Sequence, residues 1–458
     1  MTASASRRAF LQPASALSLA GVATPWALNL AAIGEAAAST AADYKALVCV
    51  FLYGGNDQGN TLVPYDPASH ALYQGIRPTL AYARADLDAT ALGASVALSN
   101  GRQYALAPQL APLLPIWNAG KMAALLNVGS LIQPTTKAQY AAKSVPLPPK
   151  LFSHNDQQSV WQSSLPEGAT SGWGGRLGDL FVSGNGNATF SCVNVSGNAV
   201  FLSGATAVQY QVSPSGSVAL NGVRSPLFGS AACSNALRAL VTANRTQLFE
   251  AEHVRVMSRS IQANDSLTAA LASGSALQTV FPTGNGLADQ LKMVARMIAS
   301  ADALGVKRQV FFVSLGGFDT HDSLLTTHPA LLTSVANAMS AFHAATLELG
   351  VADQVTTFTA SDFGRTLVGN GNGSDHGWGS MHFVLGGAVR GGRCYGLAPA
   401  IANNGPDDVG QGRLLPTTSV DQMAATLGGW FGASSGALLE VLPNLSRWNA
   451  SDRNLGFV

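Results

Sequence analysis

The sequence predicts an α/β protein, a three-layer α/β/α sandwich around a mostly parallel central sheet. Three observations predict it. Five apolar runs recur along the chain, each ending in Gly, Ser, Asp or Asn, and helical candidates lie between them. A chain of 458 residues that is 47% hydrophobic has ample material for a core. Beyond residue 40, no stretch approaches the roughly 18 consecutive apolar residues of a membrane span.

The first run, "YKALVCVFLYGG" (44–55), is apolar without alternation, as in a strand buried on both faces of a parallel sheet. "KMAALLNVGS" (121–130), "KRQVFFVSLGG" (307–317), "DQVTTFTASDFG" (353–364) and "MHFVLGGAV" (381–389) repeat the pattern. Helices are predicted over 104–119, 284–304 and 330–349, the last with apolar residues at helical spacing. Strands alternating with helices lead to a parallel sheet with helices on its faces. Residues 184–230 carry short runs broken by Gly, Ser and Asn, which predicts an antiparallel β insertion or a loop-rich cap. A helical stretch at roughly 234–272 follows, so one domain over 41–458 carries an insertion at about 184–280.

The N-terminus carries Arg7-Arg8, then Phe10-Leu11, a mild apolar run and Ala36-Ala37-Ala38. This is the pattern of a twin-arginine export signal over residues 1–40, read by the twin-arginine export machinery. Pro25, Asn29 and Glu35 interrupt the run, so no stable membrane anchor is expected. The mature protein is expected to be periplasmic or secreted. Export through that route carries folded proteins, often with a metal already in place.

Charge is balanced, with 26 Lys+Arg against 25 Asp+Glu, and no basic stripe marks a nucleic-acid surface. Charged residues make up 11% of the chain, against a usual figure of about 25%. The surface therefore falls to Ser, Thr, Asn, Gln and Gly, which suits an exported protein. Of four cysteines, none shows metal-ligand spacing. Cys49 reads as a core thiol. Cys192 and Cys233 flank a Ser/Gly-rich region and could pair in an oxidising compartment.

Against this charge-poor background, "SDFGRTLVGNGNGSDHGWGSMHF" (361–383) gathers two Asp, two His, one Arg and six Gly. Ligands of open parallel sheets bind outside the carboxyl ends of the strands. Polar clusters fall at such ends here. Asp57 follows the first run, Asp319 and His321 follow the third, and Asp362 with Arg365 follows the fourth. Asp375 and His376 come next. Mixed Asp/His ligation suits a divalent metal such as Zn²⁺ or Mn²⁺, with one or two ions. Arg365 has two readings, a clamp for a phosphate or sulfate anion and an ion pair with Asp362 or Asp375. "PLPPKLFSHNDQQSVWQ" (146–162) places Ser153 at the start of a helix. Ser153 is either the N-cap of that helix or a nucleophile near its positive end. His154 could serve a substrate oxygen or a metal, or pack.

The motifs "GGNDQGNTLVPYD", "LFSHNDQQ", "GGFDTHD", "SDFGRT" and "DHGWGSMHFVLGGAVRGG", with "RRAFLQ" ahead of them, resemble the exported bacterial family called domain of unknown function 1501. The resemblance covers nearly the whole chain. That family is placed near the alkaline phosphatase/sulfatase-like superfamily. The superfamily implies an alkaline phosphatase-like α/β/α fold, one or two divalent metals, a Ser, Thr or modified Cys nucleophile, and small-molecule or polymer ester substrates. Carried over, Asp57 resembles the first-strand metal ligand and Ser153 the nucleophile. Asp319 and His321 resemble the ligand pair of one metal. Asp362 resembles the ligand of the Asp-His-Gly turn, and His376 the later histidine. Phe363 stands where that turn has its second ligand, and Asp375-His376-Gly377 is the candidate substitute. No Cys occupies a sulfatase-type activation motif. Two functions remain open: a metal-dependent hydrolase of phosphate or sulfate esters, and a non-catalytic extracytoplasmic binding protein on the same fold.

Overall fold

The computed structural model describes residues 43–458 except residue 219; the export signal predicted over 1–40 lies outside the described residues. In chain order the strands are β1 (Lys45–Leu52), β2 (Leu62–Pro64), β3 (Tyr104–Leu106), β4 (Met122–Gly129), β5 (Cys192–Asn194), β6 (Tyr210–Ser213) and β7 (Gly216–Ser217). They continue with β8 (Arg308–Leu315), β9 (Val355–Ser361), β10 (Arg365–Gly369), β11 (Ser374–His376), β12 (Ser380–Gly386), β13 (Arg393–Tyr395) and β14 (Thr418–Ser419). The central sheet runs β13-β4-β12-β9-β1-β8-β5-β6-β7, with β14 beside β4. β1 lies at its centre, parallel to β8 and to β9. Within this sheet β12 runs against β4 and β9, and β7 against β6.

The unbroken apolar run of β1 has a simple cause. Side chains alternate across a strand. Ala46, Val48 and Val50 enter one core with Leu291, Val294, Val335 and Met339. Those partners lie on the helices Gly286–Ala299 and Leu324–Glu348. Leu47, Cys49 and Phe51 enter a second core with Leu177, Phe181, Met423 and Leu427. These belong to the helices Trp173–Phe181 and Val420–Phe431 on the opposite face. The result is the three-layer α/β/α sandwich expected from the sequence.

Local expectations differ in four places. Over 104–119 the chain forms β3, a 3₁₀ segment Pro108–Leu113 and a short helix Leu114–Asn118. Pro108, Pro112 and Pro115 lack the N–H that a continuous helix needs. The insertion is antiparallel only where β7 runs against β6: β5 pairs parallel with β8, β6 parallel with β5, and both extend the central sheet. The helical stretch after it is two helices, Ala231–Thr242 and Leu248–Ser273. Cys192 and Cys233 are free thiols, not a pair. Cys192 is enclosed in β5, where burial pushes its pKa up to about 12.

Candidate metal centre

The carboxyl ends of β1, β8 and β9 meet the N-terminus of the helix His154–Ser163 and the β10–β11 hairpin. Asp319 follows β8 and is the hub. Its Oδ1 lies 3.1 Å from both His321 Nε2 and His376 Nε2, and its Oδ2 lies 3.3 Å from His154 Nε2. The two nitrogens His321 Nε2 and His376 Nε2 are 2.9 Å apart. Ligand atoms of His154, Asp319 and His376 all lie within 4.8 Å of one another.

The opposite nitrogen of each ring decides what these Nε2 atoms can do. His376 Nδ1 is 2.7 Å from the Phe152 carbonyl oxygen, which only accepts. His321 Nδ1 is 2.9 Å from Asp375 Oδ1, and His154 Nδ1 is 2.7 Å from Asp362 Oδ2. With the ring hydrogen held at Nδ1 in each case, a neutral imidazole turns a lone pair outward at Nε2. In their neutral forms the three rings turn these lone pairs toward one another and toward a carboxylate. A cation resolves that arrangement. A carboxylate or carbonyl behind each ring is the usual outer support of a metal-bound histidine. Zn²⁺ is bound by imidazole nitrogens and carboxylate oxygens of this kind. The donor set therefore fits a divalent ion.

The carboxylates and burial act in opposite directions on the rings. His154 is raised, first by its hydrogen bond to Asp362, against burial, and then by the Asp362 and Asp319 charges. His376 is lowered, chiefly by burial, although its bond to Phe152 works the other way. Burial alone would raise Asp319, but the hydrogen bond and charge of Arg365 hold it below the usual carboxylate range.

The remaining predicted residues have other places. Asp57 is fully buried in a bidentate ion pair with Arg77, at 2.7 and 2.5 Å. Asn60 N and Ser374 Oγ also donate to its two oxygens. With both oxygens taken, Asp57 is a structural anion and not a ligand. Asp362 is buried and receives Gly54 N and Gln158 Nε2 besides His154, so it supports His154 from behind. Asp375 plays the same part behind His321, steadied by Asn370 at 3.0 Å. Arg365 is fully buried and donates to Gly54 O, Ser374 O and Asp319 Oδ1. It is not open to a substrate anion; it fixes the hub carboxylate. Phe363 is buried with its ring 4.9 Å from His154 and 4.7 Å from His376, an apolar wall where a second ligand was sought. Among the described residues, no second group of ligands accompanies the first.

Ser153 sits at the N-cap position but makes no capping hydrogen bond. Its Oγ donates to Asp156 Oδ2 at 3.0 Å. The preceding Phe152 has φ of 73°, a left-handed conformation that costs a non-glycine residue energy. That turn aims the Phe152 carbonyl at His376 and starts the helix with Ser153 and His154. Trp378 and His382, near the site in sequence, pack in the interior. Trp378 donates to Ser130 O, and His382 lies against Trp161.

A family model described as "Protein of unknown function (DUF1501)" matches residues 44–442. The chain belongs to that family. All the residues of the centre fall inside the matched DUF1501 segment. No curated protein matches the chain. Several solved structures are distantly similar to this DUF1501 protein. The PsFucS1 sulfatase from Pseudoalteromonas sp. shows 11% identity over 91% of this chain and 72% of that one, with a TM-score of 0.33. The lipoteichoic acid synthase LtaP from Listeria monocytogenes shows 9% identity over 87% and 74%, with a TM-score of 0.34. The phosphonate monoester hydrolase SpPMH from Silicibacter pomeroyi shows 10% over 85% and 74%, with a TM-score of 0.33. Likeness at that level carries no weight for chemistry, which has to come from the residues themselves.

Arg77, Gln158, Asn370 and Asp156 were not singled out in the sequence. Only Asp156 left a signal there, three residues after Ser153 on the same helical turn. The others are brought in by tertiary contacts.

Proposed function

We propose that this protein is an exported, divalent-metal-dependent hydrolase of phosphate or sulfate esters. The observation that supports it is the meeting of three imidazole Nε2 atoms with Asp319 in a partly exposed site, each ring held from behind by an acceptor. His154, His321, His376 and Asp319 would hold one ion, Zn²⁺ or Mn²⁺. When bound, such an ion supplies charge to a phosphoryl or sulfuryl oxygen and lowers the pKa of water. The substrate class, small molecule or polymer, comes from the motifs that resemble the alkaline phosphatase/sulfatase-like superfamily. Export, to the periplasm or beyond, comes from Arg7-Arg8 and the run behind them. Among the described residues, no helix is long and apolar enough to cross a membrane.

Ser153 is the nucleophile in this reading. Its hydroxyl already donates to a carboxylate rather than capping the helix, which is the pairing a nucleophile and its base require. Ser153 Oγ attacks phosphorus or sulfur, its proton passes to Asp156, and the ester oxygen leaves with the bonding pair. Water then cleaves the seryl ester and restores the hydroxyl. Arg365 and Asp362 hold Asp319 and His154 in place.

The first experiment is elemental analysis of protein purified without added metal or chelator. About one equivalent of a divalent ion is expected, together with turnover of aryl phosphates or sulfates that a chelator abolishes. Less than half an equivalent, unchanged after reloading, would sink the proposal. The second reading is a non-catalytic binding protein, and the burial of Arg365 and the Phe363 wall favour it. It predicts bound metal with no turnover on any ester of the panel.

A further inference from the structure

We infer that Arg413 is the residue that binds the anionic oxygens of the substrate, the role that the buried Arg365 does not fill. The inference rests on the metal-site reading above and deepens it. Arg413 Nε donates to the carbonyl oxygen of His376 at 2.9 Å, and its guanidinium lies 4.6 Å from the centre of the Phe152 ring. Both contacts are with the centre's own scaffold, because Phe152 O in turn holds His376 Nδ1. The arginine is thus fixed by its Nε and by one face, beside a metal ligand. Its Nη1 and Nη2 donate to no group among the described residues, and the side chain is half-buried.

The arginines deeper in the site are used differently. Arg77 spends both Nη atoms on Asp57, and Arg365 spends its Nη atoms on Asp319 and two backbone carbonyls. A guanidinium held at Nε with two terminal nitrogens to spare offers the planar fork that matches two oxygens of a tetrahedral oxyanion.

The segment that carries Arg413 is built to hold it still. Buried Asp408 accepts from Asn404 N at 2.6 Å, Gly410 N at 2.7 Å and Gly412 N at 2.9 Å. Arg413 O accepts from Val409 N, Gly412 O from Leu367 N, and Leu414 O from Gly379 N. Gly412 has φ of +77°, and a Cβ there would stand 2.8 Å from Val368 N, so only glycine lets this segment press against β10. A fixed loop spares the entropy of ordering a long side chain at binding.

The test uses the full chain loaded with metal, titrated calorimetrically with inorganic phosphate and separately with sulfate. Arg413→Gln and Arg413→Lys are compared with the natural protein, with metal content and thermal midpoint measured on each. Arg413→Gln is expected to weaken binding of the preferred anion about tenfold or more at unchanged metal content, with Arg413→Lys between the two. Unchanged anion affinity in Arg413→Gln, or no anion binding by the natural protein, would overturn the inference and leave the metal site standing. Loss of metal in both variants would also overturn it, since Arg413 would then act only by positioning His376. A natural protein that takes up no divalent ion even after reloading, yet binds phosphate through Arg413, would sink the hydrolase proposal and leave Arg413 as an anion site alone.

Discussion

Ser153 and Asp375 show how much a single hydrogen bond decides. Ser153 could have closed the helix end with its hydroxyl; it donates to Asp156 instead. Ser153→Ala should therefore leave the helix and the metal intact while lowering turnover by at least about a thousandfold, as expected when a nucleophile is removed. Steady-state kinetics beside metal analysis checks this, and full activity would remove Ser153 from the mechanism. Asp375 holds His321 Nδ1 from behind. Asp375→Asn should weaken metal affinity by about 10–100-fold, the usual effect of losing a support behind a ligand. A competition titration with a chromophoric chelator reads it directly, and unchanged affinity would mean that His321 is no ligand.

The turns after β1 and β8 work as a pair at the scale of elements. Gly54 has φ of +114°, and a Cβ on it would lie 2.4 Å from Asp319 N. The two turns can pack this closely only because the first is glycine. Gly54→Ala is expected to push the Asp319 turn outward, lowering both metal affinity and the thermal midpoint; parallel calorimetry and metal titration would show both. The second device of the β1 turn is the Asp57–Arg77 pair, enclosed on all sides. Burial by itself would raise Asp57, but the Arg77 charge and hydrogen bonds hold it well below the carboxylate range. Arg77→Met leaves a buried carboxylate without its partner, which costs about 3–5 kcal/mol. Chemical denaturation should show the loss, and a change under about 1 kcal/mol would mean that the pair is replaceable.

Two buried imidazoles contribute to the acid response of the molecule. His328 and His382 are both buried, and burial lowers them to about 4 and about 3. Their ordinary value is about 6.5. An unfolded chain therefore takes up protons at these positions before the folded one does. The stability they permit is fully present above about pH 6.5 and is lost as pH falls toward those folded values, on the order of 3 kcal/mol for His328 and 5 kcal/mol for His382. The thermal midpoint of chelator-treated protein should fall between pH 7 and pH 5. His382→Phe, against Trp161, should flatten that fall, and an equally steep one would clear His382 of the effect.

Much of this was legible in the chain itself. A strand buried on both faces has no polar positions, so β1, β4, β8, β9 and β12 announce themselves as apolar runs. Their ends are marked by the residues that turns need. Those ends also carried Asp319, His321 and Asp362, which the fold gathers with His376 of the β10–β11 hairpin. What the chain could not display was the use of each group. Asp57 and Asp319 look alike in sequence, yet one meets Arg77 in the interior and the other meets three imidazoles at the surface. Arg365 and Arg413 look alike too, and only packing spends one and frees the other. Local pattern determined the layers, since periodicity and burial act over a few neighbouring residues. Tertiary structure alone decided the site, since ligation, ion pairing and exposure depend on groups that are hundreds of residues apart in sequence, such as His154 and Asp362.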